Sequence, residues 1–291
     1  MRYRVIHKTD YQYADLLSQC HNIARLIPRN AEGQVCKDLK IDIDPIPDTL
    51  EYYEDFFGNK VFYFSIEKEH KNLTVTITSE IEKPASNAWE MDMFGYEPWE
   101  TVKDMLAQPF SELMEAKQYV AETTMTNFDA SVKTYALQSF TPGRPLVQAA
   151  NDLMRRIFQD FKFTPGFTTI STPVTEVMRQ KKGVCQDFAH LAIACIRSLG
   201  LAARYVSGYI ETLPAPGKPK LFGVDASHAW FSVFLPHGGW IDFDPTNNQV
   251  PNQQYITIGW GRDYADVAPL KGVIVGNGPH KLDVSVDVRR V

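Results

Sequence analysis

Apolar residues in this chain change their spacing twice, and those two changes limit the architecture more than any other feature of the sequence. Up to about residue 84 they alternate. "RYRVIHKTDYQY" and "KDLKIDIDPI" are short alternating runs, and "GNKVFYFSIEKEHKNLTVTITSEIEKP" sets Val61, Tyr63 and Ser65 against Phe62, Phe64 and Ile66 before a polar turn and a second alternating run. Period two is the pattern of half-buried strands, and two such runs across a polar turn predict a hairpin within one sheet of a sandwich. From residue 146 the period becomes helical: Leu146, Ala149, Ala150, Leu153, Ile157 and Phe161 fall three or four apart, "STPVTEVMRQKKG" reads as a second helix, and a third starts near Cys185. Beyond residue 200 alternation returns in "ARYVSGYIE", "HAWFSVFLP" and "GWIDFDP". Segregated helices and strands predict an α+β protein, with an N-terminal β-sandwich-like domain ahead of helices packed on an antiparallel sheet.

Residues 85–144 have no clear period in "PASNAWEMDMFGYEPWETV", then two helical pieces, "SELMEAKQYVAETT" and "FDASVKTYALQSF". "TPGRP" is a strong stop, with Pro145 where a first helical residue is often proline. The chain is therefore divided into a β-domain (1–84), a helical connector (85–144) and a core (145–291).

Composition removes several classes of function. With 44% hydrophobic and 22% charged residues the chain is neither disordered nor fibrous, and its net charge of −5, well mixed, offers no basic stripe for nucleic acid. No run of eighteen apolar residues and no leader-like N-terminus is present, so no membrane role is expected and the cytoplasm is the expected compartment. The four cysteines, Cys20, Cys36, Cys185 and Cys195, contain no C-x-x-C pair, which argues for reduced thiols and against a structural zinc; Cys20 and His21 with Cys36 match no usual ligand spacing. Neither a metal nor another cofactor is expected, and oligomeric state is not legible.

Chemistry concentrates in "KKGVCQDFAHLAIAC". Phe188, Ala192, Cys195, Ile196 and Leu199 lie three, seven, ten, eleven and fourteen residues beyond Cys185, a helical stripe that puts Cys195 mid-helix in the core and Cys185 in the first turn. First-turn amides lack intrahelical partners and carry partial positive charge, which stabilises a thiolate. Gly183 permits a tight turn and close approach of a substrate. The segment alone leaves two readings open, a nucleophile or a small buried side chain. Asp187 suits the helix dipole on its own account. A thiol nucleophile needs a base. His190 lies about 140° around the helix from Cys185 and points away. His228 opens a strand on which Trp230, Ser232 and Phe234 share its face, and the next strand carries Asp242 and Asp244.

Register decides whether a carboxylate reaches that histidine. A two- or four-residue hairpin loop around "PHGG" puts His228 and Asp244 on opposite faces. An odd loop, Pro236 to Gly238, pairs Trp230 with Asp244 and leaves His228 one diagonal step away, about 7–8 Å between Cβ atoms. An odd loop or a bulge is expected, with Asp244 preferred because Asp242 lies nearer the turn.

Together "GVCQDFAHLAIACIRSLGLAARYVSGY", "DASHAWFSVFLPHGGWIDFDPTNN" and "YITIGWGRDYADVAPLKGV" resemble the bacterial transglutaminase-like proteins, and the region beginning "YQYADLLSQCHNIARLIPR" resembles the β-domain that accompanies their core. The resemblance implies a papain-like core with Cys185 as nucleophile, His228 as base then acid, and Asp244 orienting the imidazole. It implies a peptide or protein amide as substrate and a thioester intermediate. Gln186, Asp187, Trp230, Asp263 and Tyr264 are candidate binding or supporting residues; for "GRDY" a structural Arg-Asp turn is the alternative. An aromatic oxyanion donor is not assigned between Trp230 and Tyr205. Animal crosslinking members carry Gln-Cys-Trp and acidic calcium sites, whereas here Val184 precedes the cysteine and no such clusters are evident, which favours hydrolysis over amine transfer. An idle binding module is the third reading. The stretch 213–225, "LPAPGKPKLFGVD", either borders the cleft or is a solvated connector.

Overall fold

Strand β1 (Arg2–Leu17) buries Tyr3, Val5, His7 and Thr9 while the residues between them stay wetter, the two-faced pattern expected of the N-terminal runs. The computed structural model describes residues 1–84, 96–109, 113–212 and 227–291. After β1 come β2 (Gln19–Ala24), β3 (Val35–Asp44), β4 (Thr49–Glu54), β5 (Lys60–Ile66) and β6 (His70–Glu82). These strands divide between two sheets, and β5 and β6 fall in different ones. β5 pairs with β2 and β4, whereas β6 pairs with β1 and β3. The expected 60–82 hairpin is therefore a crossing between sheets. Its physical reason is the apolar face on each run: Phe62, Phe64 and Ile66 meet Leu73, Val75 and Ile77 across the sandwich core. Alternation reports which residues face the core, and not which strand lies alongside.

Helix α1 (Trp99–Ala107) lies where the sequence showed no period; it buries only Trp99, Val102 and Leu106, one short stripe. The first helical piece expected in the connector is brief, α2 (Met114–Lys117), and the second is α3 (Ala130–Leu137), whose N-cap Asp129 accepts from Ser131 N and Val132 N. Then follow α4 (Leu146–Asp160), β7 (Lys162–Phe163), α5 (Val174–Gln180), β8 (Lys182–Gly183) and α6 (Cys185–Arg197). Every residue of α6 from Asp187 to Arg197 is buried, because the helix packs on β9 (Ala203–Ile210) and β10 (Ser227–Leu235) while α3, α4 and α5 enclose its other sides. Such a helix is mostly apolar on every side, and its buried polar residues need partners of their own. Arg197, buried at its end, gives its guanidinium to the carbonyls of Tyr119, Ala203 and Arg262.

The core sheet is completed by β11 (Gly239–Phe243) and β12 (Tyr255–Gly261) in the antiparallel order β11-β10-β9-β12. After α7 (Tyr264–Val267) the chain returns to the sandwich: β13 (Leu270–Val275) pairs with β2 and β14 (His280–Arg290) with β1. This strand pairing departs from the sequence division, which gave all of 145–291 to the core. β14 also joins the two units, since Val286 and Val288 share one cluster with Tyr3, Val5 and Ile81 of the sandwich and Tyr209, Ile256 and Ile258 of the core sheet. Among the described residues no helix is long and apolar enough to cross a membrane.

That shared cluster predicts one cooperative unfolding transition. Ile256→Ala, which removes a fully buried side chain from it, is expected to destabilise the whole chain by about 2–5 kcal/mol. Urea denaturation followed by both fluorescence and far-ultraviolet circular dichroism checks this; two separate transitions, only one of them shifted, would contradict it.

Candidate active site

Cys185 is the first residue of α6, preceded by the extended N-cap Val184 (φ −121°, ψ −178°). Valine has no side-chain acceptor, so the cap comes from the other direction: Asp187 Oδ2 accepts from Val184 N at 2.7 Å and from Thr168 Oγ1 at 2.6 Å. This folded-back carboxylate gives Gly183 its reason, because a Cβ there would lie 2.8 Å from both Asp187 Cβ and Oδ2. The glycine makes room for the cap and does not form a tight turn. Burial pushes the Asp187 carboxyl up, against the opposing pull of the Thr168 and Val184 hydrogen bonds. Gln186 Nε2 donates to Ile170 O at 3.2 Å, so Gln186 and Asp187 both tether the 164–173 segment across the helix start. Cys185 itself is half-buried with a free thiol, and Cys195 is fully buried mid-helix.

The β10–β11 hairpin has the expected odd loop. Leu235 pairs with Gly239 across Pro236, His237 and Gly238, and the ladder runs back to Phe231 opposite Phe243. Continuing that register one residue past the ladder sets Trp230 level with Asp244, one step from His228. The diagonal is closed by a hydrogen bond from His228 Nε2 to Asp244 Oδ2, 2.8 Å long. Nε2 is so engaged, and Cys185 is close enough to the ring to bear on its titration. Burial alone would lower the His228 pKa, but the hydrogen bonds to Asp244 and Cys185 and the charges of both raise it to about 9.

Asp244 is fully buried and surrounded by donors. Besides His228 it accepts from Tyr255 Oη (2.7 Å), Asn247 Nδ2 (2.7 Å) and the amides of Thr246 (2.8 Å) and Asn247 (3.3 Å). Burial pushes its carboxyl up, yet these bonds and the His228 charge hold it below the ordinary value. The turn after the aspartate, with Asn248 at φ +51°, brings the donors round and closes on Asp244 N donating to Gln249 O at 2.9 Å. Tyr255, held in turn by Gln249 Nε2 at 2.6 Å, escaped the sequence reading. It begins a strand separated from β10 by β9, and nothing in the spacing marks it.

The other candidates are structural where their contacts are visible. Trp230 is buried, and its indole N–H donates to Asp242 Oδ2 at 3.0 Å, so it is not free to donate to a reacting oxygen. Its ring stacks beside His228, 6.2 Å between centroids, and meets Tyr255 edge-on at 5.4 Å. Asp242 also accepts from Ser232 Oγ. Asp263 caps α7 by accepting from Ala265 N at 2.8 Å, while Arg262 pairs with Asp266 and not with Asp263. Tyr264 N donates to His190 Nε2, and burial, with the charge of Arg197, lowers the His190 pKa to about 3. His190 is thus a neutral acceptor within the fold. Tyr205 packs between the His190 and Tyr264 rings. Cys20 lies in the sandwich core and His21 Nδ1 bonds Tyr63 Oη, so neither faces Cys36 as a ligand set. The 213–225 stretch lies outside the described residues.

His228 titration offers a direct check. Because its folded pKa (about 9) exceeds the ordinary 6.5, the ion pair's contribution to stability is complete below pH 6.5 and is lost as pH rises through 9. In Asp244→Asn the midpoint, followed by NMR, is expected to fall by more than roughly one unit, and this slope of stability against pH should flatten.

With the geometry in place, comparisons with known proteins assign the chain. Residues 3–82 match the bacterial transglutaminase-like N-terminal region and residues 133–245 match the transglutaminase-like superfamily. An uncharacterised protein of Mycobacterium tuberculosis is 43% identical over 99% of this chain and 92% of its own length. A protein-glutamine gamma-glutamyltransferase of Pseudomonas aeruginosa is 26% identical over 148 residues, 44% of this chain and 22% of that one. The crystal structure of a candidate cysteine protease from Cytophaga hutchinsonii has the same fold, with a TM-score of 0.76, 19% identity and coverage of 99% of this chain and 90% of the other. The chain belongs to the transglutaminase-like superfamily, with the bacterial N-terminal β-region attached to its core.

Proposed function

We propose that the protein is a thiol-dependent amide hydrolase acting on a peptide or protein through a Cys185–His228–Asp244 triad. The observation that carries this is His228, hydrogen-bonded through Nε2 to a buried carboxylate, with Cys185 close enough to raise the pKa of the same ring. His228 takes the Cys185 thiol proton, Sγ attacks the amide carbonyl carbon as the C=O π pair moves to oxygen, and the amide N–H of Cys185 at the helix start is the donor we assign to that oxyanion. The pair returns, the C–N bond breaks, and His228 gives its proton to the departing amine. A thioester remains. Water, losing a proton to His228, then attacks it, releases the carboxylic acid and returns the proton to sulfur. Asp244 keeps the ring oriented and balances its charge throughout. The four free cysteines suit a reducing compartment such as the cytoplasm, the setting we propose.

Amine transfer is the second reading, favoured by the similarity to the Pseudomonas aeruginosa glutamyltransferase. In that case a primary amine replaces water at the thioester. Mass spectrometry of an acceptor-peptide library with and without added amine separates the two, since amine-bearing product dominating at modest amine concentration would sink the hydrolytic reading.

Cys185 is expected to react with iodoacetamide faster than a free cysteine at pH 7, and Cys185→Ala to reduce turnover to background. His228→Ala is expected to lower kcat/KM by about 10²–10⁴-fold. Alkylation of Cys185 no faster than a free thiol, and unaffected by His228→Ala, would remove the triad.

A further inference from the structure

The core sheet ends at β12, and an edge strand leaves backbone N–H and C=O groups without a neighbour. Two carboxamides from the sandwich stand in for the missing strand. Gln34 Oε1 accepts from Thr257 N at 2.9 Å while its Nε2 donates to Thr257 O at 2.7 Å. Asn59 repeats the arrangement at Trp260, its Oδ1 accepting from the amide at 3.0 Å and its Nδ2 donating to the carbonyl at 2.8 Å. Between them the register of β12 shifts, with Ile258 the extra residue, so that both peptide groups face the same way. Lys83 Nζ adds a bond to Tyr255 O where the strand begins.

The two amides are built into place. Gln34 is 2% exposed and Asn59 1%. Gln34 Nε2 also donates to Arg29 O (2.9 Å), Arg29 Nη1 donates to Asn59 Oδ1 (2.7 Å), and Asp55 Oδ1 accepts from Asn59 N (3.0 Å). A Cβ on Gly259 would come within 2.6 Å of Asn59 Oδ1, so the strand is shaped to receive the amide. Simple filling of an interface needs no paired donor and acceptor on each amide.

The strand held in this way starts with Tyr255, whose hydroxyl donates to Asp244. We propose that Gln34 and Asn59 are positioning residues of the active site: by fixing β12 from the sandwich they set where Tyr255 holds Asp244 and, through it, His228. The N-terminal region is then part of the site and not only its cover. The proposal rests on the triad reading for its effect on rate, but not for its effect on His228. Among the described residues, the titratable groups facing that imidazole are Asp244, Cys185 and Tyr255.

The test uses the full chain with Gln34→Ala, Asn59→Ala and the uncharged, similarly sized Gln34→Met, which keeps the volume and loses the paired hydrogen bonds. Three quantities are measured: the His228 titration midpoint by NMR, the rate of Cys185 alkylation at pH 7, and the melting temperature. Both alanine variants are expected to lower the midpoint by about half a unit, equivalent to about threefold in proton affinity, and to slow alkylation by a similar factor. Gln34→Met should lower the midpoint as far as Gln34→Ala does, and it supplies the reading if the alanine variant does not fold. In a Tyr255→Phe background Gln34→Ala should produce no further shift, as expected if it acts through that tyrosine. Variants that melt earlier with an unchanged or raised His228 midpoint would overturn the proposal. An unaltered protein whose Cys185 is inert would instead overturn the triad reading, while the midpoint shift still decides the role of the two amides.

Discussion

A carboxylate with no solvent access organises this molecule's reactive end. Asp244 is buried completely, and a buried charge persists only where hydrogen bonds replace the water it has lost. Its donors arrive from β10, from the turn at 246–247 and from the start of β12, so satisfying one side chain fixes three pieces of backbone relative to one another. Removing a partner from such an ion leaves charge uncompensated, at a cost of about 3–5 kcal/mol in comparable buried pairs. The constraint therefore runs from the carboxylate outward, and the position of His228 follows from it.

Helix α6 provides the opposite anchor. Its all-round burial leaves little freedom to shift, and its amide-rich end opens at Cys185, the one half-buried cysteine on it. The Asp187 cap uses the Val184 amide and leaves the amide of Cys185 outside that interaction. Apolar packing sets where the sulfur is, and the polar network around Asp244 sets where the imidazole is. Neither alone brings the two together.

Much of this was legible in the sequence, for particular reasons. Cys185 stood out because helical spacing separated it from Cys195, and the His228–Asp244 contact followed from side-chain parity, which a hairpin loop of odd length fixes without knowledge of the rest of the fold. Parity says nothing about which sheet a strand joins, so β5 and β6 looked like a hairpin, and β14 gave no sign that it pairs with β1. Tyr255 and the amides Gln34 and Asn59 were hidden for the same reason: each acts across a strand or domain boundary, where spacing along the chain carries no information. Gly183 was noticed for the wrong property, since its missing Cβ serves Asp187 and not a turn.

The same inventory of forces on His228 bears on how one imidazole serves both halves of the proposed reaction. A pKa of about 9 suits an acid, which the departing amine requires, but disfavours the base that water requires afterwards. Two of the influences that raise it, the hydrogen bond and the charge of Cys185, depend on the free sulfur. In the proposed reaction both vanish once the sulfur is acylated, while burial, the largest influence and one that lowers the pKa, remains, opposed among the described residues by Asp244. Forming the thioester thus pushes His228 toward the neutral form that accepts a proton from the second nucleophile. Release of the free sulfur restores both influences. In the proposed reaction the sulfur is then the partner of His228 whose charge changes, while Asp244 stays held by its own donors.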